Sequence, residues 1–249
     1  MEELEELKKE NEKLKLQYDA KTDLISISAH QLRTSLSAVK WILKMFKDND
    51  LGPTTIEQKD YLEKAYDSNE MMIAHINNLL TLNHASDMSV GLHLEKIDLI
   101  ELINKIIIEF SAEAHKKKII IDILKSTDSF FINADLEMLR VVFQNLIENA
   151  IKYSNENSIV SLSLKLIEGT NSIEIMIKDS GIGIEPDDQK SIFDKFFRAP
   201  NAVKKESSGS GLGLYTARNI VERHGGNIRF ESTTNGTTFF VVLPVSSVI

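Results

Sequence analysis

The stretch QNLIENAIKYS, Gln144–Ser154, combines apolar residues with amide, cationic and phenolic side chains in the second half of this chain. Its apolar residues recur at the spacing of an amphipathic helix. Asn145 and Asn149 lie on one face of that helix, and Lys152 or Tyr153 continues the face with a cation or a phenol. Asparagine oxygens suit a hard cation such as Mg²⁺, and a lysine suits a phosphate. Polar residues on a surface helix are ordinary, so this stretch carries little weight by itself.

Two glycine-rich stretches follow. KDSGIGI, Lys178–Ile184, puts Asp179 at a strand end, where an ionised carboxylate suits the exocyclic amine of a base such as adenine. Gly181 and Gly183 allow a flat ring to approach the backbone, or a sharp turn. GSGLGL, Gly209–Leu214, runs into a helix whose N-terminus can bind an anion. It follows no strand directly and no Gly-Lys-Ser/Thr closes it, so neither a dinucleotide-binding fold nor a P-loop is supported.

A long polar segment, residues 185–208, separates these glycine stretches. Connections of this length are usually functional lids or disordered. Three phenylalanines are expected to anchor the segment: Phe193, Phe196 and Phe197. Its cations are Arg198, Lys204 and Lys205.

Helices and strands mix in this half of the chain, which predicts an α+β fold of two layers, with helices on one face of a mixed sheet. Helices are predicted at Asp98–Lys117, Leu136–Tyr153 and Leu214–His224. Strands are predicted at Ile119–Leu124, Phe130–Asn133, Ser158–Ile167, Ser172–Asp179, Ile228–Ser232 and Thr237–Leu243.

The N-terminal half is predicted to be all helical. Residues 1–23 show heptad spacing with Asn11 at an a position, which favours a parallel coiled coil over a solvated helical tail. Two apolar stripes then predict a helical hairpin at 24–88, broken at Gly52-Pro53, with a capping box at Thr54–Glu57. Neither helix buries its stripe alone, so we expect a homodimeric four-helix bundle. A linker is predicted at 89–97, within which Val90–Ile97 is typical of a linker or a short strand.

Composition limits the class of protein. The 249 residues are 42% apolar, enough for real cores, and the absence of cysteine excludes disulfides and thiolate chemistry. A net charge of −8 argues against nucleic acid or an anionic membrane as the main partner. With neither a secretory signal nor a membrane-spanning segment predicted, we expect a cytoplasmic location, alone or as the soluble portion of a membrane-anchored sensor.

One histidine lies in an unusual setting, SISAHQLRTSLS, Ser26–Ser37. His30 is roughly 160° around the helix from Leu32 of the apolar stripe, so it is predicted to face solvent. No His, Asp or Glu follows it at helical spacing, which argues against a metal site. An exposed neutral imidazole is a competent nucleophile. Four other histidines have no such context and are expected to be structural or surface residues: His75, His84, His93 and His115.

Taken in order, AHQLRTSL, NLIENAIKYS, DSGIGI, FDKFFR and GSGLGL resemble the H, N, G1, F and G2 boxes of bacterial sensor histidine kinases. The resemblance covers residues from about 24 to 244. It implies a dimerisation and phosphotransfer hairpin, followed over residues 98–249 by an ATP-binding domain of the Bergerat (GHKL) type. His224-Gly225-Gly226 also matches a turn of this family, for which we expect a structural role.

The resemblance assigns roles to single residues. His30 would be the phosphate acceptor, with Gln31 beside it and Thr34 positioning water when a response regulator is dephosphorylated. Asn149 would bind Mg²⁺, and Asp179 would accept a hydrogen bond from the exocyclic amine of adenine. The other implied ATP contacts are Asn145, Lys152, Tyr153, Gly181, Gly183, Arg198, Gly209, Gly211, Gly213, Leu214 and either Thr237 or Thr238.

Three positions distinguish this chain from its relatives. Gyrase, MutL and heat-shock chaperones have a water-activating glutamate where this chain has Asn145, so ATP is expected to persist until another nucleophile arrives. The acidic residue that usually follows the family's histidine is Gln31 here, a poor base. The usual Thr-Pro is Thr34-Ser35, which removes a helix-interior proline and its kink.

These features predict ATP-dependent autophosphorylation of His30, and the family implies subsequent transfer to an aspartate of a response regulator together with regulator phosphatase activity. Gln31 and Ser35 leave open a nucleotide-binding dimeric scaffold, or pseudokinase, with weak or no autokinase activity. A Bergerat ATPase that hydrolyses ATP with water is a third interpretation. The input signal and the partner regulator are not encoded in any recognisable motif.

Overall fold

The structure is a computed structural model, which describes residues 27–29, 31–86, 91–124, 130–206 and 209–245. The chain divides into two units, Met1–Asp87 and Met88–Ile249. The predicted coiled coil at residues 1–23 and His30 both lie outside the described residues. Within the described ranges, no helix combines the length and the apolar character needed to span a membrane.

The described residues of the first unit form two helices. Helix α1 covers residues 31–47, and α2 covers Ile56–Ser86. The turn between them contains Asn49 and Gly52, both with positive φ. A reciprocal capping box opens α2, but it lies one residue later than predicted. The Thr55 N–H donates to Gln58 Oε1 at 2.9 Å and the Gln58 N–H donates to Thr55 Oγ1 at 3.2 Å, because Thr55 directly precedes the first helical residue.

Polar contacts join the two helices. Asn69, on the predicted stripe of α2, is 1% exposed, and its Nδ2 donates to the Leu36 carbonyl at 3.0 Å. Lys40 pairs with Glu70 at 2.8 Å, which raises the pKa of the lysine. Large apolar side chains of this unit stay exposed: Ile27, Leu32, Val39, Trp41, Ile42, Tyr61 and Met72. This uncovered apolar surface is what the dimeric bundle predicted from the sequence would bury.

The second unit is built on a five-stranded sheet of order β2-β4-β5-β7-β6. The β2–β4 pair is parallel and the others are antiparallel, so the sheet is mixed. Strands β1 and β3 form a separate antiparallel pair. The strands are β1 Glu95–Asp98, β2 Ile120–Leu124, β3 Phe131–Ala134, β4 Ile159–Leu166, β5 Ser172–Lys178, β6 Asn227–Thr233 and β7 Gly236–Pro244.

Four helices complete the unit: α3 Leu99–Lys116, α4 Leu136–Tyr153, α5 Pro200–Lys205 and α6 Gly213–Arg223. Helix α4 packs between α3 and α6, and all three contact the sheet. The register places Leu164, Ile175 and Val241 side by side, and all three are buried. Alternation of buried and exposed residues along these strands gives one apolar face, which the helices cover. The structure therefore confirms the predicted two-layer α+β fold.

Element ends differ little from the prediction, with one exception. Strand β1 falls at the end of the stretch predicted as a linker or a short strand. Helix α5 lies in the segment predicted as a lid and was missed; it has a proline at its first position and no side-chain cap.

Candidate nucleotide site

The glycine-rich start of α6 lies against the polar face of α4. A Cβ built on Gly213 would lie 2.7 Å from Asn145 Oδ1, so any larger residue here would displace the side chain of Asn145. Asn145 is itself held by a hydrogen bond from Nδ2 to the Val141 carbonyl at 2.9 Å. The fold therefore brings together two stretches that are separated by more than fifty residues in the sequence.

The N-terminus of α6 has no side-chain cap, since its N-cap residue is Leu212. The first N–H groups of a helix lack partners within the helix and carry partial positive charge. Gly211 and Gly213 leave them uncovered by side chains. An uncovered helix start of this kind can bind a phosphate, and phosphate binding here stays a prediction.

Asp179 lies at the end of β5 and is 7% exposed. Its Oδ1 accepts hydrogen bonds from the backbone N–H groups of Gly181 at 2.9 Å and Thr237 at 3.1 Å. Burial raises the pKa of Asp179 to about 6, although both N–H donors act in the opposite direction. One carboxylate oxygen is thus fixed by the backbone, and Oδ2 is left to accept from a ligand.

Thr237 and Thr238 lie on opposite faces of β7. Thr237 is buried, and its hydroxyl is 2.9 Å from the Ser232 hydroxyl. Ser232 Oγ in turn accepts from the Ile184 N–H at 2.9 Å. Of the two threonines proposed from the sequence, Thr237 is therefore the one beside Asp179. Ser232 was not predicted, because nothing in its sequence context separates it from other strand serines.

The C-terminal end of α4 is joined to the same loop. The Tyr153 carbonyl accepts from the Ile182 N–H at 3.3 Å, and Ser154 forms a β-bridge with Gly181. Lys117 Nζ donates to the carbonyls of Ile151 at 3.2 Å and Lys152 at 2.8 Å. Lys117 was not predicted; it stabilises the helix end that presents Lys152 and Tyr153.

The segment between the glycine stretches is tied down at several points. Arg198 Nη2 donates to the Glu206 carbonyl at 2.5 Å, and Nη1 donates to the Gly209 carbonyl at 3.4 Å. Burial raises the pKa of Tyr153, and its hydrogen bond with Arg198 acts in the opposite direction. Asn201 Nδ2 donates to the Gly183 carbonyl at 3.1 Å. These contacts place the predicted lid beside both the α4 end and the Asp179 loop.

Phe196 does not anchor this segment, contrary to the expectation. It is 67% exposed and has a φ of 66°, which is rare for a phenylalanine. Its N–H donates to the Gly211 carbonyl at 3.1 Å, and a Cβ on Gly211 would lie 2.6 Å from the Phe196 carbonyl carbon. Phe193 does act as an anchor, packing edge-to-face on Phe230.

The remaining predicted residues lie on the same elements. Asn149 and Lys152 are half-buried on α4, and Leu214 is half-buried in the first turn of α6. Burial raises the pKa of Glu148, and the positive charge of Lys152 opposes this shift. Within the described part of the chain, no three His, Cys, Asp or Glu side chains gather as a metal site. An Asn149 oxygen together with phosphate oxygens is the donor set that suits Mg²⁺.

In the first unit, Gln31 and Thr34 are exposed on α1. Ser35 Oγ donates to the Gln31 carbonyl at 3.0 Å. A proline at position 35 would clash with this same carbonyl, which lies four residues earlier in the helix. The helix is continuous over residues 31–47.

Comparison with known proteins agrees with this geometry. The family model for histidine kinase-, DNA gyrase B- and HSP90-like ATPases matches residues 134–247. The model for the His Kinase A (phospho-acceptor) domain matches residues 20–87, a range that includes His30.

The sensor protein kinase WalK of Staphylococcus aureus is 34% identical over 228 residues, which are 89% of this chain and 53% of that protein. The chain thus spans about half the length of this curated relative. The structure of full-length ShkA in complex with AMPPNP matches with a TM-score of 0.72 and 25% identity, over 89% of this chain and 45% of that one. A mycobacterial sensor histidine kinase, MprB, matches 61% of this chain and 97% of its own, with a TM-score of 0.52 and 27% identity. The chain therefore belongs to the sensor histidine kinases and carries their phosphoacceptor and ATPase domains.

Proposed function

We propose that this chain is the kinase core of a two-component sensor, which phosphorylates His30 with ATP. One observation carries the proposal: helix α4 is joined to both other parts of the site. The loop of the buried acceptor Asp179 meets its C-terminal end at Ser154, and the uncapped glycine-rich start of α6 lies against Asn145, on the polar face that also holds Asn149. Asp179 accepts from the adenine amine, and the N–H groups at the start of α6 hold the phosphates. Asn149 would hold Mg²⁺, and the bound ion would offset the charge on the transferring phosphoryl group.

The chemical step follows from the residues present. A neutral nitrogen of His30 attacks the γ-phosphorus, the bond to the β–γ bridging oxygen breaks, and ADP leaves. Asn145 occupies the position of the glutamate in related ATPases, and an amide cannot take a proton from water. Burial raises the pKa of Glu148, but it lies about 100° around the helix from Asn149 and is poorly aimed to replace that glutamate. Neither residue activates water, so ATP persists until His30 attacks it.

The partners follow from the family. The core acts as a homodimer through the hairpin at 24–88, preceded by the coiled coil at 1–23 and joined through the linker at 89–97 to the ATP-binding domain at 98–249. The phosphoryl group then passes to an aspartate in the receiver domain of a response regulator. Thr34, one helical turn beyond His30, positions water for dephosphorylation of that regulator. We expect these activities in the cytoplasm, either from this chain alone or from the soluble portion of a membrane-anchored sensor.

The experiment is incubation of the chain with γ-labelled ATP and Mg²⁺, with His30→Ala as the matched variant. We expect an acid-labile label on the parent chain and none on the variant. Bound ATP without any label would contradict the proposal and would indicate a scaffold. Steady release of phosphate that survives His30→Ala would instead indicate a hydrolytic ATPase.

A further inference from the structure

His224 is a buried histidine outside the nucleotide site, at the C-terminal end of α6. It is 8% exposed, and both ring nitrogens have backbone partners. Nδ1 lies 2.7 Å from the Ile220 carbonyl, and the Asp135 N–H donates to Nε2 at 3.0 Å. Because a carbonyl only accepts and an N–H only donates, the ring is neutral, with its proton on Nδ1.

Asp135 is the N-cap of α4. Its Oδ1 accepts from the Met138 N–H at 3.1 Å, and its Oδ2 accepts from the His93 N–H at 3.1 Å. The bond to His224 therefore joins the end of α6 to the residue that starts α4. Helix α6 carries the phosphate cradle, which is its uncapped start with Gly211 and Gly213. Helix α4 carries the polar amide face, which holds Asn145 and Asn149.

The helices run antiparallel and pack against each other, and two of their contacts lie near opposite ends of α6. His224 meets Asp135 at one end, and Gly213 meets Asn145 at the other. At 1.5 Å of rise per residue, the two contacts are about 16 Å apart along α6 and about 15 Å apart along α4. Because the two spans match, one axial alignment of α6 on α4 satisfies both contacts.

We propose that His224 is a positioning residue of the nucleotide site: its hydrogen bond to Asp135 fixes the phosphate-binding start of α6 against the amide face of α4. The proposal rests on the proposed function, since it takes ATP as the ligand. It gives the His-Gly-Gly turn a role in nucleotide affinity in addition to its structural role. Sliding of α6 by a fraction of a turn would move the cradle away from Asn149.

Protonation of His224 would break this arrangement, because Nε2–H would face the Asp135 N–H. Burial lowers the pKa of His224; the Ile220 carbonyl and the Asp135 carboxylate oppose the shift, and Arg223 adds to it. Because the pKa of His224 is lower in the folded chain than in the unfolded chain, the hydrogen bond from the Asp135 N–H is intact at any pH above the unfolded pKa. This hydrogen bond is lost as pH falls through the folded pKa of His224.

Two substitutions separate the two bonds. His224→Asn keeps a donor near the Nδ1 position for Ile220 but cannot reach Asp135. His224→Gln carries an amide oxygen near the Nε2 position, so it accepts from the Asp135 N–H and has no titrating group. The measurement is the Kd of AMPPNP with Mg²⁺ for the whole chain, with circular dichroism of the same samples to verify folding.

At about pH 7.5 we expect His224→Asn to bind about tenfold more weakly than the parent, and His224→Gln to bind within about threefold of it. As pH falls below about 6.5, through the lowered pKa of His224, the parent should lose affinity relative to His224→Gln. Asp179 and the nucleotide titrate in both chains, so their effects cancel in the ratio of the parent's Kd to that of His224→Gln. The ratio also remains a test if His224→Asn does not fold.

A folded His224→Asn that binds as well as the parent would overturn the proposal. So would identical pH profiles for the parent and His224→Gln. A parent chain that binds no AMPPNP at all would contradict the proposed function itself, a result distinct from either of these.

Discussion

Asp179 and Thr237 are joined by two hydrogen bonds. The Thr237 N–H donates to Asp179 Oδ1 at 3.1 Å, and the Asp179 N–H donates to the Thr237 carbonyl at 2.9 Å. The pair locks the end of β5 to β7 and fixes the orientation of a buried carboxylate. A preorganised acceptor of this kind favours a ligand that presents an amine at one position.

The first prediction concerns this carboxylate. In Asp179→Asn the amide keeps an acceptor for the N–H groups of Gly181 and Thr237 but presents a donor to the adenine amine. We expect AMPPNP affinity to fall at least about tenfold, measured by calorimetry. Thr238→Val is the matched control, because Thr238 faces away from Asp179, and it should bind as the parent does. Equal affinity for Asp179→Asn and the parent would remove Asp179 from the site.

The pKa of Asp179, about 6, predicts two opposite pH effects. Since it lies above the unfolded value near 4, the contribution of this group to folding stability is present below about pH 4 and is lost as pH rises through about 6. Adenine binding needs the ionised carboxylate, so affinity should rise over the same range. Adenosine is the probe, because it has no titrating phosphate. A pH profile unchanged in Asp179→Asn would contradict this assignment.

Two glycines test the shape of the phosphate cradle. Gly211 and Gly169 have φ near +70°, but a Cβ on Gly211 meets the Phe196 backbone at 2.6 Å, while one on Gly169 meets nothing within 4 Å. Gly169→Ala should cost about 1 kcal/mol from its φ alone, with nucleotide affinity unchanged. Gly211→Ala should abolish AMPPNP binding. If both variants bind normally, the cradle does not depend on this close approach.

Ser35 tests the departure of α1 from its family. Ser35→Pro removes an N–H and crowds the Gln31 carbonyl, which now accepts from Ser35 Oγ. We expect a loss of about 3 kcal/mol in helix stability, seen as a lower melting temperature by circular dichroism, and an altered rate of autophosphorylation. Ser35→Ala, which removes only an exposed hydroxyl, should stay within about 0.5 kcal/mol. An unchanged melting temperature for Ser35→Pro would show that the helix accommodates the kink.

Most helices and strands of the second unit could be predicted from the sequence, because their apolar residues recur with a clear helical or strand period. Helix α4 was predicted with its observed bounds, since a regular apolar stripe precedes a clear break at Ser154. Asp179 was proposed as a ligand-binding residue because it is an acidic residue at a strand end followed by two glycines, and that role stays a prediction. The short elements were harder: β1 forms only through pairing with β3, and α5 is a single short stretch after a proline.

The contacts that shape the site could not be read from local pattern. The bond from Asp135 to His224 joins residues 89 positions apart, and the packing of Gly213 on Asn145 depends on how α4 and α6 meet. Phe196 was expected inside because phenylalanines are usually buried, but its backbone turns it outward. Tertiary packing, not propensity, decides each of these positions.

The central claim is that the γ-phosphoryl group of ATP ends on His30. The most direct measurement is peptide mass spectrometry at neutral pH after incubation with ATP and Mg²⁺, comparing the parent with Asn149→Ala. We predict one added phosphoryl group on the peptide that contains His30 in the parent, and none in the variant, which lacks the Mg²⁺ ligand. Phosphate on any other residue, or phosphate released to solution with His30 unmodified, would contradict the account.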